Sequence, residues 1–296
     1  MKNFLKKVVL FLGCAVYLFS SSQARPDWVE QLDYRPDEIF AIKLQINFIP
    51  LVEIKINGSP LWVKFDTGCS EGFVLTSAVE NQIEHEVTGT TTERWPDGSY
   101  RGESKIVRIP SLEVFGDTFT DVETTISDWK IFSTLKFNGL IGLRYFRDKR
   151  VTIDYKTMKI GITARPLVDA DLRSKFGGII SLLDPPTGQE DLIYILGQVK
   201  GQSSVIYLDT GSSASFVDPD VLDEGEIIEG KRHLLAENVE ISMQDFHFVV
   251  KRLRVEKQSR DVDFEYPQTI KLGSDFLRDF LITIDKIANR VILQRN

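Results

Sequence analysis

The sequence predicts an all-β protein made of two related halves, and three observations carry that expectation. Short runs rich in Val, Ile, Phe and Thr, separated by Gly, Asn and Asp turn signals, fill most of the 296 residues. A unit of strand, tight turn and returning strand occurs twice, about 140 residues apart. A second pair of matching stretches then closes each half.

The first copy of the repeated unit runs from Pro50 to Leu75 and the second from Tyr194 to Val217. Each opens with the apolar-polar alternation of a half-buried strand, as in Leu51, Glu53-Ile54 and Lys55-Ile56. Each then turns on a glycine. Asn57-Gly58 predicts a two-residue hairpin turn with positive φ at its centre, and Lys200-Gly201 holds the equivalent place. The returning strands, Leu61 to Phe65 and Ser204 to Leu208, both end in Asp-Thr-Gly. The glycine of each turn precedes its aspartate, Asp66 or Asp209, by eight residues, and Phe73-Val74 and Phe216-Val217 follow in register. Short helical segments are expected next, with Asp218-Pro219 as an N-cap followed by proline at the first helical position.

The closing stretches are Gly142 to Asp154 (GLRYFRDKRVTID) and Gly273 to Asp285 (GSDFLRDFLITID). They agree at Arg147 and Arg278, Asp148 and Asp279, Thr152 and Thr283, Ile153 and Ile284, and Asp154 and Asp285. The last pair follows strand-like runs and precedes turns, so these acids are read as turn residues and not as catalysts. The expected organisation is 1–24 leader, 25–40 N-terminal linker, 41–165 first lobe, 166–178 interlobe linker and 179–296 second lobe. Helices are expected to be short and few, and disorder is expected mainly at the N-terminus.

Lys2, Lys6 and Lys7 precede an apolar run from Val8 to Phe19, which ends in small residues up to Ala24. That pattern predicts a signal peptide cut after Ala24 and export to a periplasmic, cell-envelope or extracellular location. The run is too short to span a bilayer comfortably, so no stable membrane span is expected after cleavage. Lipid attachment at Cys14 is the competing arrangement, disfavoured because the residues after Cys14 stay apolar. Cleavage leaves Cys69 alone, which excludes an intramolecular disulfide. The chain carries a formal charge of -7 with no basic stripe, which argues against a nucleic-acid partner.

One Asp-Thr-Gly is better read as a turn than as a site: Asp caps its own backbone and Gly supplies positive φ. Two copies at equivalent positions change this, because a pseudo-twofold axis brings both turns to the interface of the halves. Two carboxyls a few ångströms apart cannot both ionise freely, so one stays protonated while the other is charged. The ionised member can take a proton from water, and the protonated member can hydrogen-bond a peptide carbonyl. The glycines, Gly68 and Gly211, permit close approach of backbone to carboxylate. The hydroxyls of Thr67 and Thr210 can tie one turn to the other.

With FDTGCS, LDTGSS, the entering hairpin PLVEIKINGSPLWVKFDTG and the loop Leu140-Ile141-Gly142, the chain resembles the pepsin-like and retropepsin-like aspartic peptidases, as a two-lobed bacterial-type member. The resemblance covers nearly all of the mature chain. It implies a bilobal acid-protease fold, two β-barrel-like lobes with a cleft between them, and an endopeptidase whose water is activated between Asp66 and Asp209. It also implies a Thr67–Thr210 clasp and support of the pair by Gly68, Cys69, Gly211 and Ser212. A hairpin over Thr90 to Val107, turning at Asp97-Gly98 with Trp95 and Tyr100 as cover residues, would be the family's flap over the substrate, and no comparable stretch is read in the second lobe. The implied partner is a peptide or protein, the expected state is a monomer, and no cofactor is expected.

Two departures from the family pattern stand out. Cys69 replaces a hydroxyl residue whose hydrogen bond to the pair would be weakened, which points to an optimum less acidic than pepsin's; a small buried filler is the competing reading. Lys271 replaces the first hydrophobic residue of the second supporting loop and is expected at the rim, its stem packed and its amine in water. His85, His233 and His247 are scattered, so no metal site is expected. No Gly-x-Ser-x-Gly elbow and no phosphate- or dinucleotide-binding glycine loop occurs. A catalytically silent, secreted peptide-binding module of the same fold is the alternative to an enzyme.

Overall fold

The tight turns at Asn57-Gly58 and Lys200-Gly201 set the register from which both halves are built. Asn57 (φ 49°) and Gly58 (φ 81°) are both left-handed, as are Lys200 (φ 52°) and Gly201 (φ 78°). That is the conformation whose twist matches two antiparallel strands, and it explains why the turn glycines recur. The computed structural model describes residues 26–45, 48–94, 100–128, 137–167, 178–258 and 264–296.

In the first half the strands are β1 (Ile39–Ala41), β2 (Lys43–Gln45), β3 (Ile49–Ile56), β4 (Ser59–Phe65), β5 (Phe73–Thr76), β6 (Glu86–Arg94), β7 (Tyr100–Val114), β8 (Asp117–Ser127), β9 (Gly139–Ile141), β10 (Arg150–Asp154) and β11 (Lys159–Thr163). In the second they are β12 (Gly178–Ser181), β13 (Ile193–Val199), β14 (Gln202–Asp209), β15 (Phe216–Val217), β16 (Ile227–Glu229), β17 (Leu234–Met243), β18 (Phe246–Val255), β19 (Gln268–Gly273), β20 (Phe280–Asp285) and β21 (Arg290–Arg295). The protein is all-β. Among the described residues the α-helices are Asp27–Gln31 and Ser274–Leu277, each little more than a turn.

The order β3-β4-β9-β5-β8-β7 returns to its start through β3–β7 pairing, which closes a barrel. The second half repeats that circuit as β13-β14-β19-β15-β18-β17, closed by β13–β17 pairing. Alternating side chains fill each barrel: Leu61, Val63 and Phe65 of β4 point inward with Ile54, Ile56, Val107 and Ile109. The Phe-Val pairs after each aspartate form β5 and β15, and each leads into a short 3₁₀ turn. Asp218 caps the second of these, accepting from the Asp220 N–H at 2.9 Å.

A third sheet, ordered β1-β11-β10-β20-β21-β12, draws three strands from each half. Its centre is the repeated closing stretch. β10 pairs antiparallel with β20 so that Thr152 faces Thr283, and their hydroxyls meet at 2.8 Å. Equivalent residues facing each other across an antiparallel pair mark a local twofold axis. Asp154 accepts backbone N–H groups from Lys156 and Thr157, and Asp285 accepts from Ala288, the turn roles expected of both. Arg147 grips the buried carboxylate of Asp191 with two hydrogen bonds, at 2.6 and 2.8 Å, a further tie between the halves.

Residues 26–40 behave as more than a linker. Trp28, Val29, Leu32 and Tyr34 are buried against Leu281 and Ile292, so the N-terminal segment docks on the shared sheet. Trp28 Nε1 donates to Asp154 Oδ2 at 2.8 Å, and the Arg150 guanidinium lies 4.8 Å over the Tyr34 ring. Trp28→Phe keeps most of the apolar contact but removes that hydrogen bond from a buried carboxylate. The expected loss is about 1–2 kcal/mol by urea unfolding. Residues 1–25, which include the leader and Cys14, and 168–177 of the interlobe linker lie outside the described residues.

The candidate active site

β4 delivers Asp66 to the interface of the halves and β14 delivers Asp209, each at the first residue of a turn. The two turns are locked by a reciprocal set of hydrogen bonds. Thr67 N donates to Thr210 Oγ1 and Thr210 N to Thr67 Oγ1, both at 3.0 Å. Thr67 Oγ1 donates to Leu208 O at 2.8 Å and Thr210 Oγ1 to Phe65 O at 2.9 Å. Both threonines are 1% exposed, so all four bonds are made out of water.

The carboxylates sit against each other's glycine. A Cβ on Gly211 would lie 2.1 Å from Asp66 Cγ, and one on Gly68 would lie 2.9 Å from Asp209 Cγ. No other residue type leaves room at either position. Each aspartate accepts the glycine N–H of its own turn at 2.9 Å, Asp66 Oδ1 from Gly68 and Asp209 Oδ1 from Gly211. Ser212 N adds a second donor to Asp209, also at 2.9 Å. Supporting loops hold the turns from behind: Asp66 N donates to Ile141 O at 2.9 Å, and Gly142 and Gly273 approach the backbone of Cys69 and Ala214 too closely for a side chain.

The two carboxyls interact side chain to side chain, which lowers Asp66 and raises Asp209, so Asp209 is the member that keeps its proton to higher pH. Burial pulls Asp66 up, but the Lys64 charge, the Lys64 hydrogen bond and the Gly68 N–H outweigh it and hold Asp66 below the ordinary carboxylate value. Burial, and then the charge of Asp66, push Asp209 up to about 6 against the opposing fields of Lys271 and Lys64. One acid and one base therefore arise from two identical side chains.

Lys64 is the feature that pattern reading overlooked. Lys64 Nζ lies 2.9 Å from Asp66 Oδ2 and donates to Gly211 O at 3.1 Å, joining one turn to the other. Lys271 Nζ lies 4.0 Å from Asp209 Oδ2 and 4.5 Å over the Phe216 ring, which corrects its expected position with the amine in water. In the parallel β4–β9 pairing Lys64 stands opposite Leu140, and in β14–β19 Tyr207 stands opposite Lys271. Each half thus places one lysine at this cross-strand pair, on opposite strands of it. Lys64 could have been found from its spacing: two residues before Asp66 on a strand is the same face.

The residues after each triplet do not act alike. Cys69 is packed with Leu51, Val74, Phe137 and Leu140, and burial pushes its thiol well above its usual range. The filler reading of Cys69 fits that environment. The Ser212 hydroxyl donates to Ala214 O at 2.7 Å, so this serine serves Asp209 through its backbone N–H and not through its side chain. The leading influences on the pair are burial, the charge of Asp66 on Asp209, and the ammonium groups of Lys64 and Lys271.

The hairpin of β6 and β7 stands on the first half, but Trp95, Asp97 and Gly98 lie outside the described residues. Tyr100 is 61% exposed. Arg101 beside it is half-buried, and burial lowers its guanidinium against the charges of Glu93, Glu71 and Asp66. The second half does hold a counterpart, a correction to the sequence reading: β16 pairs with β17 over three positions, where β6 pairs with β7 over eight. Among the described residues no cluster of His, Cys, Asp and Glu could hold a metal. The chain matches no known family model, and no curated protein sequence matches it.

Proposed function

We propose that this chain is an exported aspartic endopeptidase with the bilobal pepsin-like fold, in which Asp66 and Asp209 activate water for attack on a peptide bond. The observation that carries this reading is the pair itself: two equivalent turns, clasped by Thr67 and Thr210, hold two buried carboxyls together, Asp66 lowered and Asp209 raised from the ordinary value. Asp66 takes a proton from the water and Asp209 gives its proton to the carbonyl oxygen, forming a tetrahedral diol. Asp66 then passes its proton to the leaving nitrogen while Asp209 takes one back from a diol hydroxyl, and the C–N bond breaks to give acid and amine. No covalent enzyme intermediate and no cofactor enters.

The reading sets a pH profile. Asp66 must be ionised and Asp209 protonated, so kcat/KM rises through a limb below the ordinary carboxylate value and falls through one near pH 6, where Asp209 loses its proton. Lys64 lowers both groups. In Lys64→Met both limbs therefore move to higher pH, measured as kcat/KM against pH. An unchanged profile contradicts the assigned field.

One observation favours a silent peptide-binding module instead. Lys64 already occupies Asp66 Oδ2, and with Lys271 it supplies one cation per carboxylate. The two readings separate on a peptide whose scissile bond is replaced by a hydroxyl-bearing mimic of the tetrahedral intermediate. An enzyme binds the mimic at least about 100-fold tighter than the matching unreactive peptide. A module that only grips extended chain binds both alike.

A further inference from the structure

We propose that the side of the cleft belonging to the second half is a subsite for a carboxylate, and that the preferred substrate is a peptide with an acidic residue beside the bond cut. The proposal rests on the peptidase reading and names the substrate class for that same site.

Lys64 and Lys271 differ in what they have left to offer. Lys64 is spent, with an ion pair to Asp66 and a hydrogen bond to Gly211 O. Lys271 makes no side-chain hydrogen bond among the described residues, and Asp209 Oδ2, at 4.0 Å, is at the limit of an ion pair. Its side chain is 26% exposed, so its ammonium is partly withdrawn from water yet open to a ligand. A half-buried ammonium with its donors unmet favours an anion that brings acceptors to it.

A second cation stands on the same ring. β15 places Phe216 between Lys271 of β19 and Arg254 of β18, each its direct cross-strand neighbour. The Lys271 ammonium is 4.5 Å and the Arg254 guanidinium 5.8 Å from the ring centroid. Among the described residues no carboxylate lies within ion-pair distance of Arg254. Asp275, on the helix after β19, is already taken by Ser215 N at 3.0 Å and Ser215 Oγ at 2.6 Å. The charged and titratable groups around Lys271 are therefore Asp209 and Tyr207 on β14, Arg254 on β18, and the Asp66–Lys64 pair of the first half.

Charge counting gives the direction. In the state competent for hydrolysis Asp209 is protonated, which leaves Asp66 as the one anion beside the ammonium groups of Lys64 and Lys271. The competent state thus leaves Lys271 without the counter-charge of Asp209 when substrate binds. A glutamate or aspartate side chain restores it, whereas a lysine adds a third ammonium group.

The test uses the full mature chain and sets of peptides identical except for Glu, Gln or Lys at each position flanking one bond. Wild type is expected to cleave the best Glu peptide with kcat/KM about tenfold above its Gln twin and further above its Lys twin, the effect of one partly desolvated charge pair. Lys271→Met is expected to bring the Glu-to-Gln ratio close to one, and Lys271→Glu to reverse the preference towards Lys. Arg254→Met is expected to lower the ratio less. Cleavage of Gln peptides at least as fast as Glu peptides by wild type overturns the subsite while leaving the peptidase reading intact. If nothing is cleaved the peptidase reading fails. Binding of the same series with a non-cleavable hydroxyethylene bond then decides the subsite separately: a Glu preference that Lys271→Met removes sustains it, and equal binding overturns it.

Discussion

Asp66→Asn and Asp209→Asn are each expected to lower kcat/KM by about 10²- to 10⁴-fold, the usual contribution of a positioned acid or base, yet to differ in stability. Both variants lose the acid and base pair, because an amide neither takes nor releases a proton here. Their neighbours are unequal. Asp66 is the counter-ion of Lys64, whose side chain is 13% exposed, so Asp66→Asn strands a buried ammonium and is expected to cost about 3–5 kcal/mol. Asp209 faces the more open Lys271 at 4.0 Å and carries a carboxyl that burial has pushed up to about 6 from an ordinary value of 3.8. A raised carboxyl makes the folded state lose stability as pH climbs from about 4 to about 6, since the unfolded chain ionises first. Asp209→Asn removes that penalty, so it is expected to match wild type near pH 4 and to exceed it near pH 7. Urea midpoints of both variants at these two pH values check the asymmetry; equal midpoints contradict it.

The second large effect concerns the clasp. In Thr210→Val the Thr67 N–H loses its acceptor and Phe65 O loses its donor; in Thr67→Val the Thr210 N–H and Leu208 O are orphaned in the same way. Valine fills nearly the same volume, so no cavity is made and the cost is that of two unmet buried backbone groups, about 2–4 kcal/mol per variant. The turns carry the carboxyls, so kcat/KM is expected to fall with stability, by roughly tenfold to a hundredfold for an ångström-scale displacement. The double variant is expected to lose less than the sum of the singles, because the first change already lets the turns part. A loss below about 0.5 kcal/mol in either single variant would mean that the clasp is ornamental.

Most of the architecture could be read before the structure because it is written in short-range chemistry. Asn57-Gly58 and Lys200-Gly201 fix two hairpins through positive φ, and equal spacing to Asp66 and Asp209 fixes equivalence of the halves. The threonine ties and the glycine contacts follow once both triplets face one axis. What escaped detection depends on contacts between distant segments. Lys64 looks like an ordinary polar member of an alternating strand until the opposite face of β4 is seen to meet the other half, at Gly211 O. Lys271 and Arg254 share one ring only because β15 runs between β18 and β19. The N-terminal segment reads as a linker because the helical spacing of Trp28, Val29 and Leu32 lasts little more than one turn, too short to stand out. Their partners, Leu281 and Ile292, are some 250 residues away in sequence.

The pairing of the two carboxyls is tested most directly by incubating the purified mature chain with a mixed peptide pool from pH 3 to 7 and reading new termini by mass spectrometry. Wild type should generate discrete cuts that peak between the two limbs of the pair's titration, and both Asp66→Asn and Asp209→Asn should abolish them. Cuts that persist in either variant at the wild-type rate would contradict a shared-proton pair as the source of the chemistry.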